Sequence, residues 1–278
     1  MPRSVPTVRQ RRLGRDLRQL REDRGLSSDS VAAQMGWSAS KVTRIETAFS
    51  KVAPADVSNL LDLYGVSSET RAALIHLAHE AQQRGWWTEY GDVFTDSYIA
   101  SEDEAEEIRV FEAQLIPGLL QTEDYARAVI EAGRPDDPAD IDRRVRARMA
   151  RKVLLTRPNA PRLTTIIAEP ALRWPIGGPA VMRAQLRALL EAAERPNVEI
   201  RALPMSAGAH AGLDGPCVIL SFGEDDFPDV AYTVGMTGEN YVESADQVQR
   251  VTMAWNRIAG KALSAEETVA LIATLAKE

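Results

Sequence analysis

Residues 28–46 constrain this chain more than any other stretch. Two short helices crossed at a tight turn must satisfy strict steric demands. The first helix needs a small residue where the second crosses it, the turn needs a residue able to take positive φ, and the second helix needs apolar residues on its inner face. Ala32 is the small residue, Gly36 follows four positions later at the turn, and Val42 and Ile45 stand six and nine residues after Gly36. Ser27 and Ser38 occupy the places of N-caps, where a hydroxyl can accept from a free backbone N–H. An ordinary helical hairpin needs none of these together. Their agreement indicates a helix-turn-helix unit.

Charge supports that reading. The whole chain has a formal net charge of −7, but residues 1–84 hold 13 Lys+Arg against 9 Asp+Glu, while the remaining 194 hold 20 against 31. The first 24 residues carry eight arginines and three acids. A basic end on an acidic chain fits one end that meets a polyanion. In a helix-turn-helix unit the second helix lies in the major groove and its N-terminal half faces base edges. The exposed positions of that helix are Ser38, Ala39, Ser40, Lys41, Thr43 and Arg44. Arg44 can donate two bonds to guanine O6 and N7, Ala39 offers a methyl to thymine, and Ser40 and Thr43 offer hydroxyls. Ser38, Ala39, Ser40, Thr43 and Arg44 are therefore the expected base contacts. Ser28, Lys41, Arg15 and Lys51 are the expected phosphate contacts, which position without specifying sequence. Arg11 and Arg12 fit either a phosphate contact or a solvated arm. Ala32, Gly36, Val42 and Ile45 are scaffold.

Around this motif the apolar spacing predicts five helices in residues 9–84. The first carries Leu13, Leu17 and Leu20, the third carries Val42, Ile45 and Phe49, and the fourth opens near Pro54. Ala105, Ile108, Phe111 and Leu115 predict another amphipathic helix, followed by one capped by Thr122 and a long one through Ile141, Val145, Met149 and Val153. After Pro161 the β-branched runs 163–168, 198–203, 218–222 and 230–234 read as strands, with a short fifth at 241–243. A helix spans 180–193, and two more close the chain. Ser264 and Glu267 form a capping box at the start of the last. The expected fold is thus a mainly α, five-helix helix-turn-helix domain over 1–84, a helical segment over 85–160 and an α+β domain over 161–278.

Two resemblances follow from particular motifs. Leu13-Gly14-Arg15-Asp16-Leu17-Arg18-Gln19-Leu20-Arg21, leading into residues 27–46 with Ile45-Glu46 at the end, resembles the Cro/C1-type (XRE-family) helix-turn-helix domain. The Asn-Gly that often follows that Glu is replaced by Thr47-Ala48-Phe49-Ser50. The stretches 111–127, 175–186 and 262–267 resemble the DUF5753 domain of actinobacterial regulators, the WhiJ-like group, over roughly residues 86–276. Genes of that group often neighbour one for a small DUF397 protein, so the resemblance implies a protein partner of that type. It implies no ligand and no catalytic residue.

Other chemistry finds little support. Single Cys217 excludes an internal disulfide framework and a Cys-rich zinc site. His76 and His79 stand three apart, but no third metal ligand accompanies them, and surface or core histidines are the better reading. Gly-x-Ser-x-Gly, P-loop and Gly-x-Gly-x-x-Gly patterns are missing, so no enzyme and no cofactor is expected. Trp86-Trp87 reads as core between domains rather than a ligand wall, and the loop with Gly208, Gly212 and Gly215 as a mobile connection or a lid. No apolar run reaches the ~18–20 residues of a membrane span, and the basic start has no apolar segment after it, so a cytoplasmic protein, nucleoid-associated when on DNA, is expected. The function that follows is a sequence-specific transcriptional regulator acting on a double-stranded operator. It is expected to be a homodimer whose C-terminal domain binds a partner protein or ligand. The alternative is the DNA-binding half of a toxin–antitoxin-like pair.

Overall fold

The computed structural model describes residues 6–278 except 51, 83–84, 92, 94–95, 134–136, 224–227 and 236–237. The chain divides into two compact units, the first ending at Glu104 and the second spanning Ala105–Glu278.

The first unit contains α1 (Val8–Asp23), α2 (Ser28–Met35), α3 (Ala39–Glu46), α4 (Pro54–Tyr64), α5 (Ser68–Gln82) and α6 (Asp96–Glu104). Leu13, Leu17, Val31, Val42, Ile45, Val57, Leu60 and Leu61 share one core, joined by Leu74 and Leu77 of α5. Burial of Leu74, Leu77, Ala78 and Ala81 follows the i, i+3, i+4, i+7 stripe of a helix packed on one side.

The expected break at 84/85 does not coincide with the edge of this unit. Residues 85–104 hold six acids and no Lys or Arg, and they belong with the helices. Trp87 is buried against Ile99 and Ala100 of α6, and the Trp86 ring meets Trp87 edge-on and donates Nε1–H to Asp103 Oδ1 at 3.2 Å. The aromatic pair is therefore core within this unit. Glu104 accepts from Arg9 N at 2.9 Å, at the free N–H end of α1, with the Arg9 Nε 3.7 Å from its other oxygen. Burial pushes the Glu104 carboxyl up to about 7, opposed by Arg9.

The second unit is built on a six-stranded mixed sheet in the order β3-β2-β1-β4-β5-β6. Its elements are β1 (Glu107–Glu112), α7 (Glu123–Gly133), α8 (Pro138–Arg151), β2 (Arg162–Ala168), α9 (Glu169–Arg173), α10 (Pro179–Ala193), β3 (Val198–Leu203), β4 (Cys217–Ser221), β5 (Val230–Gly235), β6 (Gly238–Val242), α11 (Ala245–Ala259) and α12 (Ala265–Leu275). β1, β2 and β3 run parallel, while β4 is antiparallel to β1, and β5 and β6 follow as antiparallel neighbours.

The helix expected through Ala105, Ile108, Phe111 and Leu115 is instead β1, a central strand. Helical spacing of those four competes with alternation in Glu107-Ile108-Arg109-Val110-Phe111-Glu112, and pairing on both sides decides for the strand. Phe111 is opposite Ile166 on one side and Cys217 on the other. Arg109 is held on the sheet by Asp229 Oδ2 at 2.9 Å and Ser221 Oγ at 3.3 Å. Phe111, Ile166 and Ile219 pack against Trp255 and Ile258 of α11. The alternate residues Ile108, Leu163, Ile167 and Leu220 are fully buried as well, so both faces of the sheet are covered.

The free edge of β3 is closed by the start of α12 rather than left as a template for another strand. Ala202 N donates to Thr268 Oγ1 at 2.8 Å and Ala202 O accepts from Leu263 N at 2.8 Å. The glycine loop before β4 is packed down. Gly212 is buried with its Cα against the Phe111 ring, where a side chain would overlap it, and Lys261 Nζ donates to Ala209 O at 2.7 Å.

Candidate nucleic-acid interface

The turn of the motif forms as its residues require. Ser27 Oγ accepts from Ser30 N at 3.1 Å and caps α2. Gly36 ends it in the left-handed conformation, φ 66°, ψ 28°, which an L side chain adopts at a cost of roughly 1–2 kcal/mol. Trp37 N then donates to Ala32 O at 2.8 Å, closing the end of the helix. Ser38 Oγ caps α3 by accepting from Lys41 N at 3.2 Å. Ala32, Val42 and Ile45 are buried in the core.

The far end of α3 is fixed against α1 by two contacts. At Gly14 the helices approach so closely that a Cβ would lie 2.7 Å from the carbonyl oxygens of both Ile45 and Glu46. Two turns further along α1, Arg21 donates Nε–H to Glu46 Oε1 at 2.6 Å, Nη2–H to Glu46 Oε2 at 3.0 Å and Nη1–H to Leu26 O at 2.7 Å. Both side chains are almost wholly shielded, 10% and 6% exposed. The hydrogen bond to Glu46 raises the Arg21 pKa further, and burial pushes the neighbouring Tyr64 hydroxyl up to about 12.

What remains of α3 faces outward. Ser38, Ser40, Thr43 and Arg44 are exposed. Thr43 Oγ1 donates to Ala39 O at 3.2 Å. Ala39 is half-buried, its methyl partly taken up by the core. The Lys41 ammonium lies 2.9 Å from Asp56 Oδ2 and 3.6 Å from the centre of the Trp37 ring. Arg15 is half-buried beside Asp16 at 3.3 Å, and Ser28 is half-buried in the first turn of α2. Lys51 lies outside the described residues.

Most basic side chains of this unit are committed within it. Arg9, Arg12, Arg18, Arg21, Lys41 and Arg71 face carboxylates, and Arg24 donates to Gly65 O at 2.8 Å. Among the described residues the Arg44 guanidinium has no acceptor; its neighbour is the ring of Phe49, 5.6 Å from Cζ to centroid. Phe49 was expected on the inner face of the third helix, but α3 ends at Glu46 and the ring is 58% exposed. The Arg21–Glu46 pair and the Gly14 approach are further functional features not evident from spacing alone, although Ile45-Glu46 and Gly14 both stand in the helix-turn-helix motif. His76 and His79 are exposed on α5. Among the described residues no group of three His, Cys, Asp or Glu is placed to hold a metal ion, and no helix is long and apolar enough to cross a membrane.

Comparison with known families agrees with this geometry. Residues 12–74 match a family described as a helix-turn-helix domain, the unit of DNA-binding regulators. Residues 95–274, more than half of the chain, match the family described as a domain of unknown function, DUF5753. The chain belongs to the DUF5753 family. No curated protein and no solved structure matches it. The stretches that carried the DUF5753 resemblance meet in the second unit. Gln185 of α10 is fully buried, accepting from Thr122 N at 2.7 Å and donating to Leu120 O at 2.8 Å. Gln121 donates to Ile116 O at 2.7 Å, and the Tyr125 hydroxyl accepts from Ile116 N at 3.1 Å. Buried polar groups must be paired in this way, which ties 111–127 to 175–186 through specific residue types. Ser264 and Glu267 form the expected reciprocal capping box.

Proposed function

We propose that this DUF5753 protein is a sequence-specific transcriptional regulator of the XRE type that lays α3 in the major groove of an operator. The observation that carries this reading is the Arg44 side chain, exposed on the outer face of α3 with no acceptor among the described residues. A guanidinium fork of this kind is suited to guanine O6 and N7. Ser40 and Thr43 share its face and supply less selective hydroxyl contacts. Ser28 and Arg15 serve as backbone contacts, and Lys41 reaches phosphate by exchanging Asp56 for it. A single unit reads only a few base pairs, so the protein acts as a homodimer over two half-sites about one helical turn apart. The second unit is the platform for the dimer and for a small partner protein of the DUF397 type, and the protein works in the cytoplasm.

The test begins with duplexes enriched by the full chain from a randomised pool. Arg44→Ala is expected to weaken binding to the enriched duplex by ~1–3 kcal/mol and to relax preference at one position of each half-site. If affinity and preference both survive in titrations at fixed salt, α3 is not the reading helix.

A further inference from the structure

The loop after α3 does something the spacing of the motif does not require. Ala48 takes the left-handed conformation, φ 54°, which alanine ordinarily avoids. It is held there by burial, 6% exposed, and by the turn around it, in which Ala48 N donates to Ile45 O at 3.0 Å and Ser50 N to Arg44 O at 3.2 Å. This reversal folds residue 49 back alongside the last turn of α3. Phe49 is thereby presented to solvent, 58% exposed, with the Arg44 Cζ 5.6 Å from its ring centroid. That distance lies within the ~6 Å over which a guanidinium is attracted to the face of an aromatic ring.

An exposed arginine has several rotatable bonds and loses that freedom when it grips a base. A flat ring against the guanidinium removes part of the freedom beforehand, and the attraction between them strengthens as bound DNA excludes water. The ring has no hydrogen-bonding group of its own and cannot compete with the base for the donors.

We infer that Phe49 is a positioning residue for base recognition: its ring holds Arg44 in the orientation that reads guanine, so that sequence preference depends on an aromatic side chain at 49. This rests on α3 being the reading helix.

The experiment uses the full chain and the duplex it enriches, titrated at one salt concentration. Phe49→Leu is expected to weaken binding roughly 3–10-fold and to reduce the preference for guanine at the same position that Arg44→Ala affects. Phe49→Tyr keeps the ring and is expected to restore both. In the Arg44→Ala background Phe49→Leu is expected to add nothing, because the group it positions is gone. Unchanged thermal melting of Phe49→Leu shows that the fold is intact. The inference is overturned if Phe49→Leu leaves the guanine preference unaltered, or if it costs as much without Arg44 as with it, which would make the ring an independent contact. Should Arg44→Ala itself leave base preference untouched, the reading of α3 fails together with this one; failure of Phe49→Leu alone removes only the role of Phe49.

Discussion

Replacing Glu46 with alanine is expected to lower the stability of the first unit by about 3–5 kcal/mol, a large part of the ~5–15 kcal/mol that holds a domain together. The Arg21 guanidinium would be left almost fully shielded, with the Leu26 carbonyl and the edge of Glu22 as its remaining acceptors. A shielded charge that keeps only a long contact to a half-exposed carboxylate costs far more than a surface ion pair contributes. Hydrogen exchange on the full chain is the appropriate readout. Amides of α1 and α3 should lose roughly two to four orders of magnitude of protection, as that free energy requires, while those of the second unit's sheet keep theirs. Replacing both partners together, Arg21→Met with Glu46→Leu, should recover part of the loss, because no orphaned charge remains. Unaltered protection in Glu46→Ala would mean that the pair does not tie α3 to α1.

Phe111→Ala is expected to cost the second unit about 3–5 kcal/mol. The ring is fully buried in the middle of the sheet, packed with Ile166, Ile219, Trp255 and Ile258. Gly212 carries no side chain that could fill the space left behind, and backbone pairing on both sides of β1 keeps the strands from closing in. A urea titration followed by far-ultraviolet dichroism should show the transition of the second unit moving to lower denaturant with that of the first unit unmoved. A shift worth less than about 1 kcal/mol would contradict the central placement of β1, since a side chain on a helix edge costs little to truncate.

The parts of the molecule set by local chemistry were legible in the residues. Serines before amphipathic runs marked the starts of α2, α3 and α12, and Gly36 marked the turn. A continuous apolar and β-branched run marked β2, buried on both faces, while Val198 and Ile200 alternating with Glu199 and Arg201 marked β3. β1 was obscured because Glu107 and Arg109 alternate with apolar residues while Ala105, Ile108, Phe111 and Leu115 also satisfy a helical period. Only partners distant in sequence, Ile166 and Cys217, decide between the two. The same holds for the edge of the first unit. Composition changes sharply at 85, yet the acidic stretch joins the basic helices, since Glu104 accepts from Arg9 N in the first turn of α1 and Trp87 packs on Ile99. In the interface, the exposure of Ser38, Ser40, Thr43 and Arg44 followed from periodicity, whereas Ala39 and Lys41, expected outward with them, are half-buried. The positions of Phe49 and Lys41 could not be read that way, because a left-handed turn at Ala48 and a carboxylate on α4 determine them.

Methylation interference on the enriched duplex tests the placement of α3 most directly. Guanine N7 lies in the major groove and adenine N3 in the minor groove, so methyl groups at the two sites block different modes of docking. With the full chain, methylation of guanine N7 at one position in each half-site is expected to abolish binding, and Arg44→Ala is expected to remove that sensitivity while leaving weaker binding to the duplex. Interference confined to adenine N3, or sensitivity at guanine N7 that persists without Arg44, would contradict recognition of the major groove by α3.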